Sequence, residues 1–138
     1  MINGKRARTV RSYSMNCFMG GRDPALGSIP STASGYLSCF VKDSDIARPS
    51  DTWVLLEEDE RSINDGFFIT DPGGKIWFDF PAISALRHDY SFALNFADGS
   101  SMIWHYRDQR TLQLTANQTE QPGNTDLARL AASTTVRK

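Results

Sequence analysis

The sequence predicts an α+β domain that is mostly antiparallel β-sheet and carries one short C-terminal helix. From residue 51 to residue 114, short runs rich in β-branched and aromatic residues recur between Gly, Pro, Asn and Asp turns, which is typical of strands. Near the C-terminus, NTDLARLAAS offers a capping Asn124 or Thr125 before Leu127 and Leu130, which share one helical face. The chain of 138 residues is 40% hydrophobic, which suits a single domain with a real core.

Six segments are predicted to form strands. The stretch Ser12–Gly21 alternates apolar and polar residues and ends on a Gly-Gly turn. The other five are Thr52–Glu57, Gly66–Thr70, Lys75–Phe80, Ser91–Ala97 and Ser101–Tyr106. Asp71–Gly74 (DPGG) predicts a turn, because Pro restricts φ and Gly adopts positive φ without strain.

Asp98-Gly99, between two apolar runs, predicts a β-hairpin with a two-residue type I′ turn. The resulting register pairs Leu94 with Ile103. One face of the hairpin then carries Phe92, Leu94, Phe96 and Ile103, and the other carries Ala93, Ala97, Met102 and Trp104.

His88 and Asp98 in one short segment invite a catalytic or metal-binding interpretation, which strand geometry opposes. At about 3.3 Å per residue, a strand between them separates the two by on the order of 30 Å. A hydrogen bond needs about 3 Å. We therefore expect Asp98 to lie at the hairpin tip and His88 to anchor a loop by hydrogen bonding.

The acidic run LLEEDERSINDGFF holds Glu58, Glu60 and Asp65, whose oxygens are of the kind that calcium binds. The spacing is not that of an EF-hand, and a solvated acidic connection is the favoured interpretation. An inward-facing Glu58 or Glu60 would need a partner, such as Arg61, Arg87 or backbone amides. A hydrolase that uses Glu58 or Glu60 with His88 is the weakest of the hypotheses, since no substrate is suggested.

The remaining features exclude more than they assign. Fifteen Lys and Arg against sixteen Asp and Glu give a net charge of −1, which provides no argument for nucleic acid. Residues 1–9 are expected to be a flexible basic terminus and residues 131–138 a flexible tail. No apolar run approaches the roughly 20 residues of a membrane-spanning helix.

Three tryptophans are expected in the core, with a carbohydrate-binding platform as the alternative: Trp53, Trp77 and Trp104.

Cys17 and Cys39 are the two cysteines. Neither lies in a CxxC pair, and no ligand spacing surrounds them, so a zinc site is not predicted. A disulfide and two free thiols are equally consistent with the residues alone.

Several stretches together resemble one bacterial family. They are VRSYSMNCFMGG, SDIARPSDTWVLLEEDERSINDGFF, RHDYSFALNFADGS followed by WHYRDQR, and PGNTDLARL. In this order they resemble the globular part of pseudopilin-like proteins with a prepilin-type processing-associated H-x9-DG domain, of the type II secretion and type IV pilin-like group. The resemblance covers roughly residues 10–130, and its motif residues are His88, Asp98 and Gly99.

The resemblance implies a pilin-like β-sheet head that is a structural or assembly component and not an enzyme. It implies a place in the cell envelope, on the periplasmic or extracellular side, and contacts with other pilin or pseudopilin subunits or secretion-apparatus proteins. Membrane contact would be made only through an N-terminal prepilin helix that this sequence lacks. An oxidising location favours the Cys17–Cys39 disulfide. No cofactor is implied, and the alternative is an extracellular calcium- or carbohydrate-binding module.

Overall fold

The computed structural model describes residues 12–20, 39–84 and 88–136 and shows two sheets and one α-helix. The larger sheet contains β1 (Tyr13–Asn16), β2 (Trp53–Glu57), β3 (Phe67–Phe68), β5 (Ser91–Phe96) and β6 (Ser101–His105). Its strand order is β3-β1-β2-β5-β6. The smaller sheet pairs β4 (Ile76–Trp77) with β7 (Thr119–Glu120). The helix α1 spans Thr125–Ala132, and short 3₁₀ helices span Asp43–Asp45, Pro49–Asp51 and Gln109–Gln113.

The predicted strands are present, but the sheet is mixed and β7 was missed. β2 pairs antiparallel with β1 and with β5, and β5 pairs antiparallel with β6, whereas β3 runs parallel to β1. β7 lies in a polar segment that carries no strand pattern. It forms because its two residues pair with β4, and the indole N–H of Trp77 donates to Gln121 just beyond it at 3.0 Å.

The β5–β6 hairpin exists, but its predicted turn type and register are wrong. Gly99 has φ +89°, while Asp98 is not among the described residues with positive φ, so a type I′ turn is excluded. The amide of Gly99 donates to the carbonyl of Phe96 at 3.0 Å, which leaves a three-residue loop. Leu94 therefore pairs with Met102 instead of Ile103.

Because side chains alternate between the two faces of a strand, this shift of one residue moves every side chain of β6 to the face opposite the predicted one. Trp104 now pairs with Phe92 on the core face, with ring centroids 5.9 Å apart. Ile103, predicted to lie with the core residues, is 47% exposed on the opposite face. The larger indole occupies the core position, where it removes more apolar surface from water.

The main core lies between the inner face of the larger sheet and α1. Leu127 and Leu130 are buried on one face of the helix, as predicted. The tryptophans follow the predicted core placement: Trp53, Trp77 and Trp104 are 0%, 1% and 6% exposed, so none presents a ring to a glycan.

β1 buries its polar residues and exposes its apolar ones. Asn16 is fully buried, donates from Nδ2 to the carbonyls of Trp53 and Thr134, and accepts the amide of Phe18. Thr134 lies in the segment predicted to be a flexible tail, yet it is completely buried. The buried amide of Asn16 thus joins β1, β2 and the chain that follows α1.

Asn124 is the N-cap of α1, since its side-chain oxygen accepts the amides of Asp126 and Leu127. The turn at Asp71–Gly74 forms as predicted, with Gly74 at φ +69°. No helix in the described segments has the length and apolar character needed to cross a lipid bilayer. Residues 1–9 and Arg87 lie outside the described residues.

Candidate functional site

His88 and Asp98 lie beyond opposite ends of β5 and contact different partners. The Asp98 carboxylate accepts the amide and the hydroxyl of Ser100 at 2.9 and 2.6 Å, which closes the hairpin loop. These hydrogen bonds, the hydroxyl first, hold the pKa of Asp98 below its ordinary value. Asp98 therefore acts within the turn, and Gly99 supplies the left-handed residue that follows.

His88 bonds to a strand through an acid that sequence reasoning did not single out. Its Nε2 lies 2.8 Å from Oε1 of Glu57 at the end of β2. Glu57 is 5% exposed and also accepts the hydroxyl of Tyr13, its cross-strand neighbour, at 3.1 Å. The predicted partners in a catalytic arrangement, Glu58 and Glu60, do not take part. His88 is thus clamped to the outer face of the sheet.

The backbone around His88 is strained. His88, Asp89 and Tyr90 have φ of +46°, +51° and +60°, so three consecutive non-glycine residues are left-handed. Each costs roughly 1–2 kcal/mol relative to right-handed backbone. The Glu57–His88 contact and the pairing of Ser91 with His105 lie on either side of this turn and help to hold it.

The acidic residues proposed as calcium ligands do not converge. Glu58 is fully buried and accepts the hydroxyl of Ser62 at 2.7 Å, whereas Glu60 is exposed. Asp65 accepts the amide of Phe67 at 2.8 Å. Among the described residues, no three His, Cys, Asp or Glu side chains are grouped as a metal ion requires. Arg61, expected as a partner of Glu58 or Glu60, pairs with Asp59 at 2.9 Å.

Asp79 is a buried carboxyl group with a strongly raised pKa. It is 2% exposed and accepts the amide of Ile69 at 2.7 Å and the side-chain amide of Asn117 at 3.1 Å. Burial raises its pKa to about 7, the Ile69 amide opposes this rise, and the negative charges of Glu58 and Asp65 add to it. Its burial and these two hydrogen bonds place the Asp79 carboxyl within the core.

Ser91 and His105 form a second polar pair on the same face of the sheet. The Ser91 hydroxyl lies 2.6 Å from Nδ1 of His105 in the adjacent strand. A serine–histidine contact resembles a nucleophile with its base. Ser91 is completely buried, however, so its hydroxyl is closed to a substrate and the pair joins two strands.

Cys17 and Cys39 are present as separate thiols, the first buried and the second half-buried. The chain segments that follow the two cysteines are hydrogen-bonded to each other. The amide of Phe40 donates to the carbonyl of Phe18, and the amide of Gly20 donates to the carbonyl of Phe40 at 2.9 Å. The disulfide stays a prediction for oxidising conditions.

A cavity of about 310 Å³ lies beside β6. Residues from the Pro49–Asp51 helix, the β5–β6 hairpin and the C-terminal part of α1 line it, among them Arg48, Asp51, Phe96, Met102, Trp104 and Arg129. The guanidinium of Arg129 stacks on Trp104, 3.9 Å from the ring centroid. Burial, together with the nearby charge of Arg107, lowers the pKa of Arg129, and the negative charge of Asp126 opposes this lowering.

Arg129 and Trp104, which both line this cavity, each carry a donor without an acceptor among the described residues. Arg129 forms no ion pair with a described carboxylate, and Nε1 of Trp104 is buried without a hydrogen-bond partner. The cavity was missed from the sequence because its residues come from segments about 80 positions apart along the chain (Arg48 to Arg129).

Comparisons with protein-family models, with curated proteins and with solved structures returned no match. The function is therefore inferred from the residues and geometry of this chain.

Proposed function

We propose that this chain is a non-enzymatic head domain of a pseudopilin-like protein in a type II secretion or type IV pilus-like system. It would act on the periplasmic or extracellular side of the cell envelope, through contacts with other pilin-like subunits or secretion-apparatus proteins. The basis is the resemblance of its sequence stretches to the H-x9-DG group.

The observation that best supports a structural role is the use of the two polar motif residues. Asp98 is occupied by the turn that it closes, and His88 by the buried carboxylate of Glu57. The nine residues between them include all six residues of β5, Ser91–Phe96. A motif that spans a whole strand, and whose two ends each stabilise a chain reversal, is what a scaffold needs.

Localisation and cross-linking in the native host test this proposal. A photo-reactive amino acid at Val41, which is 71% exposed and lies outside β6 and its cavity, would report neighbouring subunits. We expect adducts with pilin-like or secretion-apparatus proteins in the envelope fraction, and none without irradiation. Recovery of the protein from the cytosol would contradict the proposal.

The motif itself is tested with Asp98→Asn. The side-chain oxygen of asparagine still accepts the Ser100 amide, so the turn and the adducts are expected to persist. If Asp98→Asn folds normally but loses the adducts, Asp98 acts directly in the contact and not through the turn.

A further inference from the structure

β6 forms one edge of the larger sheet, and within the described chain no strand covers it. Its pairing with β5 runs without a bulge over five residue pairs, from Ser91–His105 to Asn95–Ser101. It contains no proline or lysine, the residues with which soluble proteins commonly protect an edge. Met102 and Ile103 are 50% and 47% exposed on its two faces. Such an edge is a template for another strand.

The free backbone groups of β6 can be identified from the ladder. The amide of Phe96 donates to the carbonyl of Ser100 at 2.8 Å, and hydrogen-bonded pairs alternate along antiparallel strands. Met102 and Trp104 therefore bond to β5. The N–H and C=O groups of Ser101, Ile103 and His105 point away from the sheet, where an added strand would meet them.

The cavity described above opens beside this edge, since Met102 and Trp104 belong to both. It contains Arg129, stacked on Trp104 without an ion-pair partner in the described chain, and Arg48. Among the described residues that line it, Asp51 is the one carboxylate. The two arginines favour an incoming carboxylate.

We propose that β6 and this cavity bind an extended acidic peptide by strand addition. Its backbone pairs with Ser101, Ile103 and His105. One side chain, a glutamate or aspartate, enters the cavity and meets Arg129, and the flanking residues lie beside Ile103 on the other face, where apolar side chains fit. A second copy of this chain fits less well, because its own β6 would present Met102 and Trp104 to the cavity, and neither is acidic. The site depends only on β6 and the cavity, so it is independent of the pseudopilin assignment.

A fluorescein-labelled peptide, Gly-Thr-Val-Glu-Val-Thr-Gly, tests the carboxylate. Titrated with the full 138-residue chain, its fluorescence anisotropy is expected to show saturable binding that weakens with salt. Replacing its glutamate by glutamine, or introducing Arg129→Gln into the chain, is expected to weaken binding about tenfold or more, since a charge-assisted hydrogen bond is lost. Lys42→Gln removes the same charge outside the cavity and is the matched control. Equal binding of the two peptides would refute the carboxylate contact.

N-methylation of the peptide tests strand pairing separately. In an added strand, only every second residue donates its amide to β6. The amides of the two valines form one such set, and those of the glutamate and the two threonines form the other. Methylation of the two sets is therefore expected to affect binding differently. One set is expected to abolish binding and the other to preserve it, and amide exchange at Ile103 is expected to slow when the peptide binds. If the peptide binds equally well with either set methylated, strand addition is refuted, even where Arg129→Gln weakens binding. Self-association of the chain that the peptide cannot displace would assign the edge to a second copy and overturn the proposal. Circular dichroism confirms that Arg129→Gln is folded.

Discussion

Asp79→Asn tests the buried polar centre of the protein through its pH dependence. The pKa of Asp79 rises from an ordinary 3.8 to about 7, chiefly through burial. Well below pH 4 the folded and unfolded chains both hold the proton, so the ionisation of Asp79 does not affect stability. As the pH rises toward 7 the unfolded chain releases its proton while the folded chain retains it, and stability falls. At about 1.36 kcal/mol per pKa unit, the complete loss is roughly 4 kcal/mol.

Asparagine cannot ionise, so the variant lacks this dependence. Its side-chain oxygen can still accept the Ile69 amide, which in the wild-type protein donates to Asp79 at 2.7 Å. Urea unfolding of both proteins between pH 4 and 8 measures the effect as the wild-type free energy of unfolding minus that of the variant. We expect this difference to become more negative with rising pH and to level off above about pH 7.

The matched control is Asp98→Asn, because the pKa of Asp98 is lowered by the hydroxyl and amide of Ser100. A lowered pKa contributes stability that is lost only on acidification below about pH 4, so the control difference is expected to stay nearly constant between pH 4 and 8. Parallel wild-type and Asp79→Asn curves would refute the inference that this carboxyl is buried and neutral in the folded protein.

Four further changes test the fold and the acidic residues. Asp89→Gly removes a Cβ from left-handed backbone at φ +51° and is expected to raise the free energy of unfolding by about 0.5–1 kcal/mol; a loss would show that the turn is not strained. Gly99→Ala, at φ +89°, is expected to lower it by about 1 kcal/mol or more, and an unchanged value would argue against the three-residue loop. Asn124→Ala is expected to lower it by about 2 kcal/mol, because the helix N-cap is lost in a buried position, while Ser133→Ala at the other end of α1 should cost less. Millimolar calcium is expected to leave the melting temperature unchanged, since Glu58, Glu60 and Asp65 have separate surroundings; a rise would restore the calcium-binding hypothesis.

Local chemistry made part of this structure predictable. The amide-binding oxygen of Asn124, the positive φ of Gly74 and the apolar spacing of Leu127 and Leu130 act over a few residues, so the pattern alone predicts the cap, the turn and the buried helical face. The same holds for the existence of β5 and β6. Their register did not follow, because Asp-Gly is compatible with both a two-residue and a three-residue loop. The burial of Trp104 against Phe92 and α1 distinguishes the two.

The sequence by itself determined that His88 and Asp98 belong to opposite ends of a strand, since extended backbone has a fixed rise per residue. Only the tertiary structure decided which partners they meet. Glu57 reaches His88, and Asn117 reaches Asp79, across 31 and 38 positions of the chain. Arg129 approaches β6 because α1 packs against the sheet. Such contacts depend on how elements pack in three dimensions, and no short-range pattern records that packing.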